Sequence, residues 1–541
     1  MPHEFVSLLR APDRAIGATE ASSFRFEEMP ELAGDCPVKY EYLVGEKSAR
    51  VVVYPSGSPV KYLKLRFRGD MSFVERVFGD AWERCEYKIP LEWRSVMAWR
   101  VLPWYCYASG AGKTACYGVK TQPNSFAFFQ IDTHGVTLFL NLTCGADGTD
   151  LKEPLVACEI VELVGEEGED AYKVACRFAP MMCENPRLPK EPVFGVNNWY
   201  WAYGNISRES VREETDYLLE MTGEAKHRPY MILDDGWQFN RSTNPNSPFI
   251  GGPWEAGERF GSMKETADEI HEKGAKAGIW FRPMLTLGSF PSEAALAAES
   301  GGFVLDPSHP YTIERIERDA AKIRSWGYDL IKHDFSFIDI TGETPHFRTG
   351  AKMGTPNRHM FDRSRTTATL IKEVYQAIAR GGQDAEVIGC SVSGHLAAGI
   401  HSIIRVGGDT SGRNFEWTVR NGVNSMMRLP LHGKLYMADP DCAAFTSQVD
   451  PDLNLDFLEV CALTGMTTLA SVTPHILTAE QMKRIREIYA LADRDTERYQ
   501  ILDFERNALP ERFVSADGKT VKEYDWTRAY DGARSLISWL Y

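Results

Sequence analysis

Residues 311–334 read YTIERIERDAAKIRSWGYDLIKHD, and the change of period within this stretch decides the fold. Ile313, Ile316, Ala320 and Ile323 recur at the spacing of one face of an α-helix. Gly327 ends that helix, because glycine enters the left-handed conformation that closes a C-terminus. From Tyr328 to His333 the residues form a short apolar run ending in Lys332, His333 and Asp334, the pattern of a buried strand with polar groups at its end.

Working outward, the same unit repeats. Apolar runs at 194–199, 230–234, 277–281, 386–390, 402–406, 434–438 and 467–472 join the one at 328–333, and amphipathic helices lie between most of them. One helix starts at Ser262 with Glu265 as its capping box, lines up Met263, Ala267 and Ile270, and stops at Gly274. Another spans roughly 364–380, and 479–494 reads as the last. Eight strands alternating with helices predict an α/β fold, a (β/α)8 TIM barrel over 193–494. SVSGHLAAGIH (391–401) leaves little room for a helix between the fifth and sixth strands, and FVLD (303–306) reads as a short extra strand.

The flanks differ. Residues 1–185 carry β-branched and aromatic runs at 49–55, 62–69, 125–132, 136–142 and 172–178, separated by turn residues, and predict an N-terminal all-β, sandwich-like domain. NPRLPKEP (185–192) has three prolines and reads as an extended linker. Residues 495–541 read as a small C-terminal β-rich appendage. The chain has 541 residues, a net charge of −15 and a pI near 5.4, which argues against nucleic acid or an anionic membrane as the main partner. No apolar run reaches the roughly 18–20 residues of a spanning helix, and Arg10 and Pro12 break the first apolar stretch, which lacks the core of a signal peptide. Eleven cysteines, an odd count without CxxC, predict reduced thiols, a cytoplasmic location and no zinc site.

Barrel enzymes place their chemistry at the C-terminal ends of the strands. There the sequence offers Asn197, Asn198, Trp199 and Trp201 after strand one, Asp234 and Asp235 after two, and Arg282 after three. Lys332 and Asp334 follow at strand four, Cys390 at five, Arg405 and Asp409 at six, and Asp439 and Asp441 at seven. Carboxylates accept hydroxyl hydrogen bonds, indole faces cover the C–H face of a pyranose, and two carboxyl groups cleave a glycosidic bond. This is the chemistry of a sugar site. Lys332 and Asp334 stand two apart, so the ammonium is expected beside Asp334, keeping it ionised. Asp439 and Asp441 also read as shapers of the loop after strand seven, and His395 and His401 as structural or surface residues.

Residues 195–475 resemble the catalytic barrel of retaining α-galactosidases, glycoside hydrolase family 36, with features of family 27. The resemblance rests on LDDGWQ (233–238), PWEAGERF…AGIWF (253–281), IKHDF (331–335), CSVSG (390–394) and RVGGD (405–409), in order, each at its strand end. DPD (439–441) is closer to family 27. The resemblance implies Asp334 as nucleophile and Asp409 as general acid/base in a double displacement on terminal α-linked galactose, with no cofactor and no metal. It implies Asp234 and Asp235 as ligands of the 4- and 6-hydroxyls, and Trp254, Lys332, Cys390 and Arg405 as further substrate-binding residues; Trp199 is added from its strand-end position. An α-galactoside oligosaccharide or glycoconjugate is the expected substrate, and a homo-oligomer is an option the family raises.

Two positions depart from the family. Arg282, followed by Pro283, stands where a glutamate is usual, and His333 where tryptophan is common. Arg282 raises the alternative of an anionic or N-acetylated α-galactoside, against which stands its pairing with Asp235 or another mouth carboxylate. Other readings are a transglycosylase on the same mechanism, a metal-dependent enolase-like barrel, and a non-catalytic sugar-binding protein.

Overall fold

The computed structural model describes residues 3–22, 36–85, 90–239, 250–299, 301–342, 357–494 and 498–530. Residues 495–497 and 531–541 of the predicted C-terminal appendage lie outside these residues.

Up to residue 164 the chain builds two antiparallel sheets. One has the order Arg14–Thr19, Val60–Arg68, Gly135–Asn141, Phe126–Asp132, Leu102–Pro103. The other runs Tyr40–Val44, Ala49–Val53, Leu155–Val164, Lys113–Val119, Tyr105–Gly110, Val74–Gly79, Arg94–Ser95. Aromatic side chains meet across the gap: Tyr42 lies 5.6 Å from Phe67 and Tyr117 lies 6.5 Å from Phe129, centroid to centroid. The predicted strand at 172–178 is a correction, because Ala171–Met182 is a helix. Asp170 caps it by accepting from the Lys173 amide, and Tyr172, Val174, Ala175, Phe178, Ala179 and Met182 form its buried side. Their spacing is helical, and a short β-branched reading hid it. The helix lies close on the second sheet at Gly118, where an added Cβ would come within 2.7 Å of Met182 and 2.9 Å of Phe178.

From residue 194 on, nine parallel strands form one sheet. They are β1 (Phe194–Asn197), β2 (Tyr230–Leu233), β3 (Lys276–Phe281), β4 (Leu330–His333), β5 (Glu386–Gly389), β6 (Ile403–Arg405), β7 (Met437–Asp439), β8 (Ala443–Phe445) and β9 (Thr468–Val472). The pairing order is β7-β6-β5-β4-β3-β2-β1-β9-β8. The two edge strands, β7 and β8, are neighbours in the chain joined by Pro440, Asp441 and Cys442, so the sheet's edges meet covalently and the strands form a barrel-like ring. The predicted seventh strand, 434–438, is thus two short strands broken at Asp441, whose φ is +77°. Asp441 tolerates this backbone because its buried carboxylate gathers donors there, as described below.

Helices cover the ring. Arg208–Thr222 and Ala479–Ala492 open with reciprocal capping boxes, and Ser262 accepts the Glu265 amide at the head of Met263–Lys273. Pro310–Ser325 buries Ile316, Ala320 and Ile323 against the ring and packs on Thr367–Gly382. Between β5 and β6 only a single turn, Gly394–Ala397, fits. The extra strand, Gly302–Leu305, joins Leu285–Thr286 and Ala295–Glu299 in a small sheet. After residue 498 three short antiparallel strands follow.

Candidate active site

A separate apolar cluster fills the ring: Tyr230 and Ile232, Leu330, Ile388, Ile403, Met437 and Leu469, with Trp199 and Tyr203 packed against it. Side chains two apart on a strand share a side. One step further along the strands from this cluster come Asp234, Lys332, Cys390, Arg405 and Asp439, which therefore form the layer above it. All are buried.

Lys332 donates to Asp234 Oδ2 at 2.6 Å, and Asn197 Nδ2 donates to the same oxygen at 2.8 Å. Asp234 Oδ1 accepts the Asp235 amide, and Asn198 Oδ1 accepts the Asp234 amide, both at 2.9 Å. The two asparagines after β1 thus hold Asp234 in place. Burial works against the Lys332 charge, but Asp234 overcomes it and holds the ammonium well above its usual range. The expected ammonium beside Asp334 is a correction, since the salt bridge of Lys332 goes to Asp234. Asp235 accepts from Gln238 and is pushed up to about 7, by burial first and against the hydrogen bond from Gln238.

Asp334 lies just beyond β4 and is half-buried. The Phe335 amide donates to its Oδ1 at 2.7 Å, and Trp280 Nε1 to its Oδ2 at 3.3 Å. Phe335 has φ +61°, which turns the chain sharply into helix Ser336–Thr341. Trp280 was missed from the sequence, yet it stands in register with Lys332 on the next strand and shares its side. Trp254 is buried behind it, with ring centroids 5.9 Å from Trp280 and 6.1 Å from Trp237. Its indole braces the wall that carries Trp280. His333 points to the other side of the sheet, bonding His401 at 2.9 Å, and burial pushes it down to about 3.

Arg282 does not bond Asp235. Its Nε and Nη2 donate to Asp339 at 2.9 and 2.5 Å, and its guanidinium lies 4.2 Å over the Phe335 ring. The pairing with a mouth carboxylate is therefore corrected to a buried pair with the helix that follows β4. Trp201 also turns away from the mouth, donating to buried Glu214 at 2.9 Å. Trp199 remains half-buried on the ring's apolar filling, 5.5 Å from the Tyr203 ring.

Arg405 reaches across β6 and β7. It donates to Asp441, to the Gly408 carbonyl at 3.1 Å, to Asp409 Oδ1 at 3.1 Å and to Cys390 Sγ at 3.6 Å. Asp441 also accepts from Tyr200 and from the Thr410 amide, while Asp439 accepts from the Asp441 amide and Thr467. Both residues therefore hold the loop after β7 in shape. His395 is likewise structural, bonded to the Val119 carbonyl at 2.7 Å.

Asp409 has a second cation that no barrel motif revealed. Residues 80–85 run from the N-terminal sheets into the loop after β6: Cys85 bridges Gly407, and Arg428 ties Asp80 and the carbonyls of Glu83 and Val406 together. Gly407 is required here, because a Cβ would sit 2.4 Å from the Asn421 carbonyl. Arg84 Nη1 then donates to Asp409 Oδ1 at 3.0 Å, while the Asp409 side chain stays 57% exposed. The enclosure of the site works against its charge, yet Arg84 and Arg405 hold the Asp409 carboxyl below the usual range. The charge of Asp334 also acts on Arg84 and on Cys390, so the two carboxylates share one electrostatic neighbourhood.

No family model matches the chain. In sequence it is similar to the α-galactosidase of Coffea arabica, 27% identical over 144 residues, 26% of this chain and 32% of that one. It is similar also to α-galactosidase A of Cellvibrio japonicus, 28% identical over 151 residues, 28% of this chain and 31% of that one. The matches thus span about a third of these relatives' length. In structure it is similar to TtGalA, the α-galactosidase of Thermus thermophilus solved with p-nitrophenyl α-D-galactopyranoside, with a TM-score of 0.60 and 17% identity over 90% of this chain and 99% of that one. It is similar to the family 36 α-galactosidase AgaA of Geobacillus stearothermophilus at a TM-score of 0.57 and 15% identity, covering 89% of this chain and 71% of that one. The fold is that of family 36 α-galactosidases.

Proposed function

We propose that this chain is a retaining exo-α-galactosidase that hydrolyses terminal α-linked galactose. The observation that carries the reading is the placement of Asp334 and Asp409 beyond β4 and β6 of one ring, above a layer that presents Asp234, Lys332, Cys390 and Arg405. Asp334 attacks the anomeric carbon while Asp409 gives a proton to the departing oxygen. Water, deprotonated by Asp409, then releases the sugar from the galactosyl–enzyme ester. This double displacement calls for carboxyl groups about 5–5.5 Å apart. Asp234 and Asp235 bind the 4- and 6-hydroxyls.

A neutral galactoside is favoured over an anionic or N-acetylated one because the Arg282 guanidinium is already committed to Asp339. TtGalA has also been solved with stachyose, in line with an α-galactoside oligosaccharide as substrate. The reading needs no metal. It divides the chain into residues 1–185, two facing antiparallel sheets with a covering helix, the ring over 193–494, and the short-stranded segment from 495. All eleven cysteines stand as thiols outside disulfides, which supports a cytoplasmic location.

The test is the first-formed product. On p-nitrophenyl α-D-galactopyranoside with EDTA present, NMR should show α-galactose appearing before mutarotation. β-Galactose first, or activity that EDTA abolishes and Mg²⁺ restores, would reject the retaining, metal-free reading.

A further inference from the structure

We propose that Arg84, brought into the mouth from the N-terminal sheets, is a positioning residue that clamps Asp409 as a carboxylate and so favours its base role over its acid role. The inference rests on the α-galactosidase reading and deepens it. Arg84 and Arg405 take the same oxygen, Oδ1, at 3.0 and 3.1 Å. Among the described residues nothing donates to Oδ2, which leaves that oxygen for the aglycone or the water. Arg84 itself is held firmly: its side chain is 10% exposed, Glu83 lies 3.5 Å from its Nε, and its Nη1 also reaches Cys390 Sγ at 3.8 Å.

Among the described residues, the groups that face Asp409 come from several elements packed on it. Arg84 comes from the N-terminal segment, Arg405 from β6 and Lys332 from β4. The phenols of Tyr200 and Tyr203 come from the turn after β1, and Asp441 faces it through Arg405 and Thr410. Among the described residues three cations thus oppose two phenols that stay neutral and one carboxylate already saturated with donors. Of the three, Arg84 alone comes from outside the ring and bonds no other carboxylate of the mouth, so it is the cation that can be removed without disturbing Asp234 or Asp441.

The consequence depends on the leaving group. A p-nitrophenolate departs without a proton, whereas the alkoxide of an oligosaccharide needs one from Asp409. With Arg84 in place the protonated fraction of Asp409 is small, so Arg84 restrains turnover of oligosaccharides more than of aryl galactosides.

The experiment compares wild type, Arg84→Gln and Arg84→Lys on raffinose and on p-nitrophenyl α-D-galactopyranoside across pH. In Arg84→Gln the descending limb of kcat/KM for raffinose should move up by about one pH unit, the low end of what one opposite charge contributes. At neutral pH the raffinose-to-aryl ratio of kcat/KM should then rise about tenfold, since each unit changes the protonated fraction tenfold. Arg84→Lys keeps the charge and should keep the wild-type limb. An unmoved limb in Arg84→Gln, or equal losses on both substrates without a shift, overturns the clamp. A second measurement needs no turnover. In protein labelled with ¹³C at the aspartate carboxyls, the Asp409 signal is identified by its loss in Asp409→Asn. Its titration midpoint should rise by about one unit in Arg84→Gln, and an unchanged midpoint overturns the clamp. A wild-type chain inert on both galactosides would instead sink the α-galactosidase reading, and the two failures are told apart by the NMR midpoint.

Discussion

Arg282 and Asp339 form a pair whose loss can be sized in advance. Two hydrogen bonds join them, at 2.9 and 2.5 Å, and their side chains are 9% and 2% exposed. Removing one partner of such a pair strands a charge in a place water does not reach, and typically costs about 3–5 kcal/mol. Arg282→Met should fall at the upper end, because Asp339 is fully enclosed and burial already pushes its carboxyl up. Asp339→Asn should fall at the lower end, because the guanidinium keeps its place over the Phe335 ring. The double variant Arg282→Met, Asp339→Leu removes both charges and should lose less than either single change. The coupling then exceeds the larger single loss, about 5 kcal/mol. In thermal melting each single change should lower the apparent Tm by roughly 10 °C, and the double change by clearly less. The companion assay is kcat/KM on aryl α-galactoside and aryl α-galacturonide, below the melting range. Additive losses would refute a mutual pair. A stable Arg282→Met variant that loses only galacturonide turnover would show that Arg282 serves a substrate anion instead.

Three further outcomes follow from the same geometry. Asp334→Asn keeps the shape of the mouth but removes the proposed nucleophile, so kcat on aryl galactoside should fall by about 10³-fold or more while galactose affinity, read by calorimetry, changes only a few-fold. Trp280→Phe removes the indole N–H that lies 3.3 Å from Asp334 and should cost about tenfold in kcat/KM, with Tm nearly unchanged. Asp235, pushed up to about 7 in the folded chain by burial, keeps a proton that the unfolded chain loses near pH 4. Stability should therefore decline as pH rises from about 4 to 7, by on the order of 4 kcal/mol, and Asp235→Asn should flatten that part of the Tm-against-pH curve.

Much of the fold was legible because its signals are local. The stripe Ile316, Ala320, Ile323 and the stop at Gly327 define helix Pro310–Ser325 and the start of β4 without any distant contact. The same holds for Ser262 and Gly274 around Met263–Lys273. What failed locally was tertiary in origin. YKVACRF has strand-forming residues, but Asp170 caps it as a helix and the close approach at Gly118 lets it lie on the sheet. The break in the seventh strand at Asp441 depends on donors from Tyr200, Arg405 and Thr410, which lie 241, 36 and 31 residues away in sequence.

The site divides along the same line. Asp234, Lys332, Cys390 and Arg405 follow from counting in twos along strands whose lower residues fill the ring, so the layer above that filling was readable from the sequence. Trp280 obeys the same count and was overlooked only because it sits inside an apolar run that reads as core. Asp334 and Asp409 stand beyond the strands, where the count no longer governs direction. There Phe335 turns with a positive φ, and Gly407 lets the next loop close on Asn421. The direction of each carboxylate is then fixed by its partners. Asp334 takes its donors from the adjacent strand β3 and the turn itself, Asp409 from β6 and from residue 84, 325 positions earlier. A motif places the aspartates but carries no information on Arg84, because nothing in WERC (82–85) marks it as part of a barrel mouth. The layer above the apolar filling is thus written in the periodicity of the ring, whereas the charge state of Asp409 depends on how a second part of the chain docks against it.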